Sequence, residues 1–338
     1  MIRRAMTGSG MLLLLTVALA HGQAATPAQP RAAKPATATP APAKPSPRRT
    51  ATAGHVPRTP WGDPDLQGVW DYWTFTPLER PAEIAGTGPV AEDVLRRVLQ
   101  KEADKKVDGA LNAGTGSYDR EWYEYKEGQI YLRPSLIVDP PDGRLPAMTD
   151  WAKQKVALAR DHGFDSYELM DPGDRCIGRG MLGTMLPTFY NNGKQIVQTP
   201  GHIAIFSEMI HDARVIPLGK QPHAPAGAKF LHGDGRAHWE GDTLVIESTN
   251  YSQRDVLRVI RVQSDALKVT ERFKVVDGNS ILYQMTIDDP KVYARPWTIE
   301  FPLVREADYK MFEYACHEGN HAIEGILRGA RFNEKQGR

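Results

Sequence analysis

Residues 267–289 read LKVTERFKVVDGNSILYQMTIDD. Leu267, Val269, Phe273 and Val275 fall on one face of an extended chain, and Ile281, Tyr283, Met285 and Ile287 on one face of the next. Period-two alternation on either side of Asp277-Gly278-Asn279 is the signature of a half-buried antiparallel hairpin. Glu271 interrupts the apolar face. An inward carboxylate is costly unless paired, so it predicts a buried cation such as Arg214, or else a cavity that uses the acid.

The same pattern recurs outward from this hairpin. Gln195 to Thr199 and His202 to Ser207 flank Pro200-Gly201, and Ala213 to Leu218 follows as a further strand. Arg236 to Glu240 and Thr243 to Ser248 flank Gly241-Asp242, and Trp297 to Arg305 with Met311 to Cys316 reads as a fourth hairpin turning near Glu306 to Tyr309. Towards the N-terminus, Leu66 to Asp71 and Leu136 to Val138 are short strands. Val94, Leu95, Val98 and Leu99 set a helical spacing within Ala91 to Asp108. Thr149 is placed to cap a helix through His162, with Gly163 as its stop.

Consecutive hairpins make a meander, and a large meander curls until its edges meet. The expected fold is therefore mainly β: an antiparallel up-and-down, lipocalin-like barrel with an N-terminal helical decoration. Gly68-Val69-Trp70 opening the β region suits that architecture. A β-sandwich is the alternative.

The 338 residues are 41% hydrophobic and 25% charged, an ordinary globular balance. The net charge of +1 is unevenly spread. Residues 1–62 hold eight basic residues and no acidic ones, so the remainder carries 34 basic against 41 acidic. A net acidic folded part argues against a nucleic-acid partner. Arg3 and Arg4, the apolar run Met11 to Ala20 and the small-residue site Ala18-Leu19-Ala20 read as a secretory signal peptide over residues 1–20. The run is too short to span a bilayer. Residues 21–60 form an Ala/Pro-rich basic linker, predicted to be disordered, and residues 61–333 a single β-rich domain. The expected location is periplasmic or secreted, with no transmembrane segment after cleavage. Cys176 and Cys316 are the two cysteines. In an oxidising compartment they can pair across a long loop, with two buried free thiols as the alternative and a catalytic cysteine as a third reading.

Three clusters carry candidate chemistry. Ser207-Glu208-Met209-Ile210-His211-Asp212-Ala213-Arg214 sets a histidine able to move protons near neutral pH beside Asp212 and Arg214, which orient it or bind a polar substrate group. Tyr190, Asn191 and Asn192 precede it as candidate ligand contacts, as do Trp239 and Glu240 at another hairpin. His317-Glu318-Gly319-Asn320-His321 matches H-E-x-x-H, which on a helix places His317 and His321 on zinc with Glu318 as base. Gly319 and Asn320 are weak helix formers at its centre. No cofactor is expected, with zinc as the alternative.

Several stretches resemble a large family of exported, uncharacterised bacterial proteins. They are PWGDPDLQGVW (60–70), LIVDPPDGRLP (136–146), YNN (190–192), QIVQTPG (195–201), SEMIHDARVIPL (207–218), WEGDTLVIE (239–247), ERF (271–273), EYACHEGN (313–320) and GILRGAR (325–331). The resemblance spans most of residues 60–331. It implies an envelope or extracellular location and one continuous domain, and supplies no reaction. It also implies an aromatic residue at the position of His321, so that His317-Glu318 is the part of the motif to keep.

The functional expectation is a protein acting on a small molecule by histidine-centred acid–base chemistry of lyase, isomerase or hydrolase type. His211, Asp212, Arg214, His317 and Glu318 are its catalytic candidates. The alternatives are a non-catalytic carrier of a small apolar ligand and, third, a zinc-dependent hydrolase working through HEGNH.

Overall fold

The computed structural model describes residues 55–72, 74–111, 131–188, 190–252, 262–305 and 309–337. The predicted signal peptide and most of the predicted linker lie outside the described residues. The described residues form one compact unit. Among the described residues the strands are β1 (Gly68–Asp71), β2 (Ile137–Asp139), β3 (Lys194–Gln198), β4 (His202–Ser207), β5 (Ala213–Pro217), β6 (Asp234–Glu240), β7 (Thr243–Thr249), β8 (Lys268–Asp277), β9 (Ser280–Asp288) and β10 (Trp297–Arg305). The helices are α1 (Glu92–Leu111), α2 (Asp150–His162), α3 (Gly180–Met185) and α4 (Ala322–Lys335).

The sheet runs β5-β4-β3-β1-β10-β9-β8-β7-β6, with β2 added beside β10. Every neighbour pair along that path is antiparallel. A ring of nine strands cannot alternate direction all the way round, so one seam must be parallel. That seam is β5 against β6, where Leu218 and Ala237 form a parallel bridge and Gly219 N donates to Ala237 O at 2.8 Å. Read around the ring with β2 set aside, each strand lies beside its neighbour in chain order, which makes this a nearly closed up-and-down barrel.

Burial follows the alternation. Buried and partly exposed residues alternate along the whole of β9, and along most of β8. The interior is filled by aromatic side chains rather than left open. Trp70, Trp297, Tyr283, Phe273 and Phe301 are fully buried, and Tyr283 stacks between Phe273 and Phe301 with centroids 4.8 and 5.2 Å away. Met181, Leu182 and Met185 of α3 join the same core. Tyr72 Oη donates to Thr184 O at 2.9 Å and fastens that helix to the end of β1. Thr149 caps α2 as its position predicts, its hydroxyl accepting from Ala152 N at 3.2 Å.

The fourth hairpin does not form. Residues 309–316 contain no strand. The outer side of β10 is taken by β1, through Trp70 opposite Arg305, and by β2, through Ile137 opposite Ile299. Once the barrel closes through its first strand, β10 has no edge left for Met311 to Cys316. That stretch becomes a strap instead.

Candidate functional site

The strands order the loops into two ends. The β4–β5 loop, the segment entering β3 and the segment entering β6 share one end, and the β6–β7 and β8–β9 turns share the other. Most of the sequence-predicted residues gather at the first end.

At the close of β4, Glu208 is fully buried. Its carboxylate accepts from Asn191 Nδ2 at 3.1 Å, Gly193 N at 3.3 Å, Phe312 N at 2.8 Å and the Tyr309 hydroxyl. One side chain thus binds the segment entering β3, the β4–β5 loop and the strap (309–317) together. Two of these donors, Tyr309 and Phe312, sit 101 and 104 residues from Glu208 in sequence, and nothing in the local pattern announces them.

Met209–His211 makes a tight turn in which Ile210 has φ 59° and His211 φ 45°. A β-branched residue in left-handed backbone is strained by about 1–3 kcal/mol. Burial of Met209 and Ile210 and the bond from His211 N to Glu208 O at 3.0 Å hold it there. The turn throws the His211 ring outward onto the strap, with Nδ1 2.9 Å from Tyr314 O. A carbonyl only accepts, so this contact puts the proton of the neutral ring on Nδ1 and leaves Nε2 as a lone-pair base. The ring of His317 lies 6.3 Å from that of His211, centroid to centroid. Both imidazoles are exposed. Cys176 and Cys316 form a disulfide with their Cα atoms 5.7 Å apart, pinning the strap one residue before His317. Glu318 follows on the surface.

Asp212, next to His211, turns the other way. Its Oδ1 stands 3.3 Å from Nε2 of His232, a residue of the segment entering β6. Asp212 Oδ2 and His232 Nδ1 are both buried and take no hydrogen bond among the described residues. Beside them at the parallel seam is a cavity of about 220 Å³, lined by Arg214, Ile216, His232, Gly235 and Ser248. His232 sits in a long connection without periodicity, so the sequence alone did not single it out.

Arg214 points into the barrel. It holds Glu271 in two bonds, of 2.6 and 3.0 Å, and Tyr283 Oη donates to the same carboxylate at 2.9 Å. This is the pairing that the interrupted apolar face of β8 predicts. Burial opposes the charge on Arg214, but the Glu271 carboxylate outweighs it and raises the guanidinium pKa. Burial, then the same carboxylate, pushes the Tyr283 phenol well above its ordinary value. Lys194, the first residue of β3, is also inside. Its Nζ lies 4.8 Å from the Tyr72 ring centroid and makes no hydrogen bond among the described residues. Burial, and then the Arg214 guanidinium, holds this amine well below the usual lysine value.

The remaining candidates lie elsewhere or serve the backbone. Asn192 bonds Thr188 N at 2.8 Å and Thr188 O at 3.0 Å, shaping the turn that carries Tyr190 and Asn191. Trp239 and Glu240 are at the opposite end of the barrel from His211, where Glu240 accepts from Arg272 at 2.5 Å. HEGNH is not helical: residues 317–320 form a turn, and α4 begins only after His321. Among the described residues no three His, Cys, Asp or Glu side chains are grouped to hold a metal ion. No protein-family model matches the chain, and no curated protein matches it significantly.

Proposed function

We propose that the chain is an exported enzyme that acts on a small molecule by histidine-centred proton transfer at the His211 end of the barrel. One observation carries the reading: two exposed imidazoles from segments a hundred residues apart are held 6.3 Å apart, with the proton on one assigned by a backbone carbonyl. A substrate seated between them would meet a base at Nε2 of His211 and a second acid or base at His317. The Asp212–His232 pair on the inner side of the same loop provides a second imidazole–carboxylate couple. The reaction class is that of a lyase, isomerase or hydrolase, none of which needs more than positioned acids and bases. Filling of the barrel by Trp70, Tyr283 and Phe301 favours this rim chemistry over a carrier with its ligand in the barrel. Export is supported by the basic and apolar N-terminal pattern and by the joined cysteines. N-terminal sequencing of envelope-fraction protein should begin at or just after His21.

The test is a turnover screen in deuterated water. Pools of small polar metabolites are incubated with the protein, and mass spectrometry reads both conversion and deuterium uptake at carbon. The wild type should act on at least one compound, and His211→Gln and His317→Gln should each lose that activity. A wild type inert towards every pool, or activity unchanged in both variants, overturns the reading.

A further inference from the structure

Outside the barrel, α2 and the chain that follows it build a second concavity. Lys155, Leu158 and Ala159 lie three and four residues apart, and so project from one face of α2. Opposite them stand the residue 167–177 segment and Lys229 and Leu231 of the β5–β6 connection. The groove between has a volume of about 1040 Å³, at the upper end of small-molecule sites. Leu158, Tyr167, Leu169, Ile177 and Leu231 line it and are each between 36% and 54% exposed. Large apolar side chains gathered this way on a surface mark a binding site rather than chance exposure.

Charge identifies the occupant. Among the described residues the groove carries Lys155, Arg175 and Lys229 against the single carboxylate Glu168, whereas the chain beyond residue 62 is net acidic. Arg175 is held at the groove by its contact with Glu168 O at 3.3 Å and by the Tyr167 ring, 5.8 Å from its guanidinium. A concave apolar floor under a cationic rim complements a molecule with an aliphatic body and one anionic head. We propose that this groove binds an anionic single-chain amphiphile, of the fatty-carboxylate class, with its tail along Leu158, Leu169 and Leu231 and its head at Lys155 and Arg175. The concavity suits one chain rather than a flat bilayer surface. This goes beyond the rim reading and does not depend on it, although Leu231 lines both this groove and the seam cavity.

The full chain is titrated calorimetrically with laurate kept below its micelle concentration. Dodecanol and dodecyltrimethylammonium serve as neutral and cationic controls. Saturable binding near one laurate per chain is expected, at least tenfold weaker in Lys155→Glu/Arg175→Glu and lost in Leu158→Asp. His211→Gln should bind as the wild type does. These are surface positions, and melting curves confirm that each variant is folded. No saturable binding, equal binding of all three amphiphiles, affinity unaltered by the variants, or binding only to phosphatidylglycerol vesicles overturns the proposal.

Discussion

The two ends of the barrel are finished in different ways. At one end the strands are joined by Pro200-Gly201, Gly241-Asp242 and Gly278-Asn279, turns close to the minimum a hairpin allows. Gly241 takes φ 61° there, a conformation glycine adopts without strain. At the other end the chain puts Asn191, Ile210 and His211 into left-handed backbone, buries Glu208, closes a disulfide and lays a strap across the loops. A turn that only reverses the chain has no need of such devices. Their concentration at one end indicates that geometry there is specified for something other than chain reversal.

Substitutions that set the two ends and the interior against each other should sort by size. The largest effect is expected at Glu271. Its loss leaves Arg214 charged, buried and unpaired, so Glu271→Gln should cost about 3–5 kcal/mol in chemical denaturation. Glu240→Gln, which breaks the solvent-screened pair with Arg272 at the plain end, should cost far less than that. Equal losses would mean that the interior pair is solvated and contributes no more than a surface one. Next comes the disulfide. Cys176→Ser/Cys316→Ser releases a constraint spanning 140 residues and should lower stability by about 2–4 kcal/mol. It should also free the strap, so hydrogen exchange at Phe312 and Tyr314 should rise while the Leu244 and Tyr283 amides stay protected. Uniform acceleration would show instead that the strap is part of the core.

Lys194 gives a smaller effect that depends on pH. In the unfolded chain its amine has the ordinary lysine pKa, and in the barrel burial and Arg214 lower it. Between those two values the unfolded state binds more protons, so stability rises with pH by about 1.4 kcal/mol per unit at most. Below the lowered value the full penalty applies. Lys194→Met should therefore be more stable than the wild type near neutral pH, and its advantage should shrink as pH climbs towards the ordinary lysine value. Parallel stability–pH curves for the two proteins would show that Lys194 has a compensating partner.

Legibility in the sequence follows the same division. The barrel was readable because its strands are half-buried, and half-burial writes period two into LKVTERFKVV and SILYQMTI. The Arg214–Glu271 pair was readable because a carboxylate on an apolar face has few affordable solutions. Met311 to Cys316 looked like a strand because its local composition permits one. Whether an edge is free for it depends on β1 reaching β10, a contact between the two ends of the chain. Glu208 and His232 were missed for the same reason. Their partners come from distant segments, and neither sits in a periodic stretch. Lys194 did leave a signal, as a cation at the inward position of KQIVQ, but a strand's first residue is easily taken for its solvated end.

The smallest expected change in stability comes with the largest expected change in activity, at His211. Its ring is exposed and its Nδ1 bonds Tyr314 O. Glutamine can keep an N–H donor near that carbonyl, so His211→Gln gives up at most one hydrogen bond, worth about 1 kcal/mol. It removes the lone pair at Nε2 and any proton transfer made there, which contributes about 10²–10⁴-fold in enzymes that depend on it. The strained turn is held by Glu208 and the burial of Met209 and Ile210, not by the imidazole, so the variant should melt close to the wild type. Turnover of whichever compound the deuterium screen identifies should fall by at least a hundredfold, while Glu240→Gln leaves it unchanged. Should His211→Gln instead melt as low as Glu271→Gln and turn over normally, the left-handed turn, the buried Glu208 and the strap are scaffolding for the fold, and the contrast between the two ends is one of stability alone.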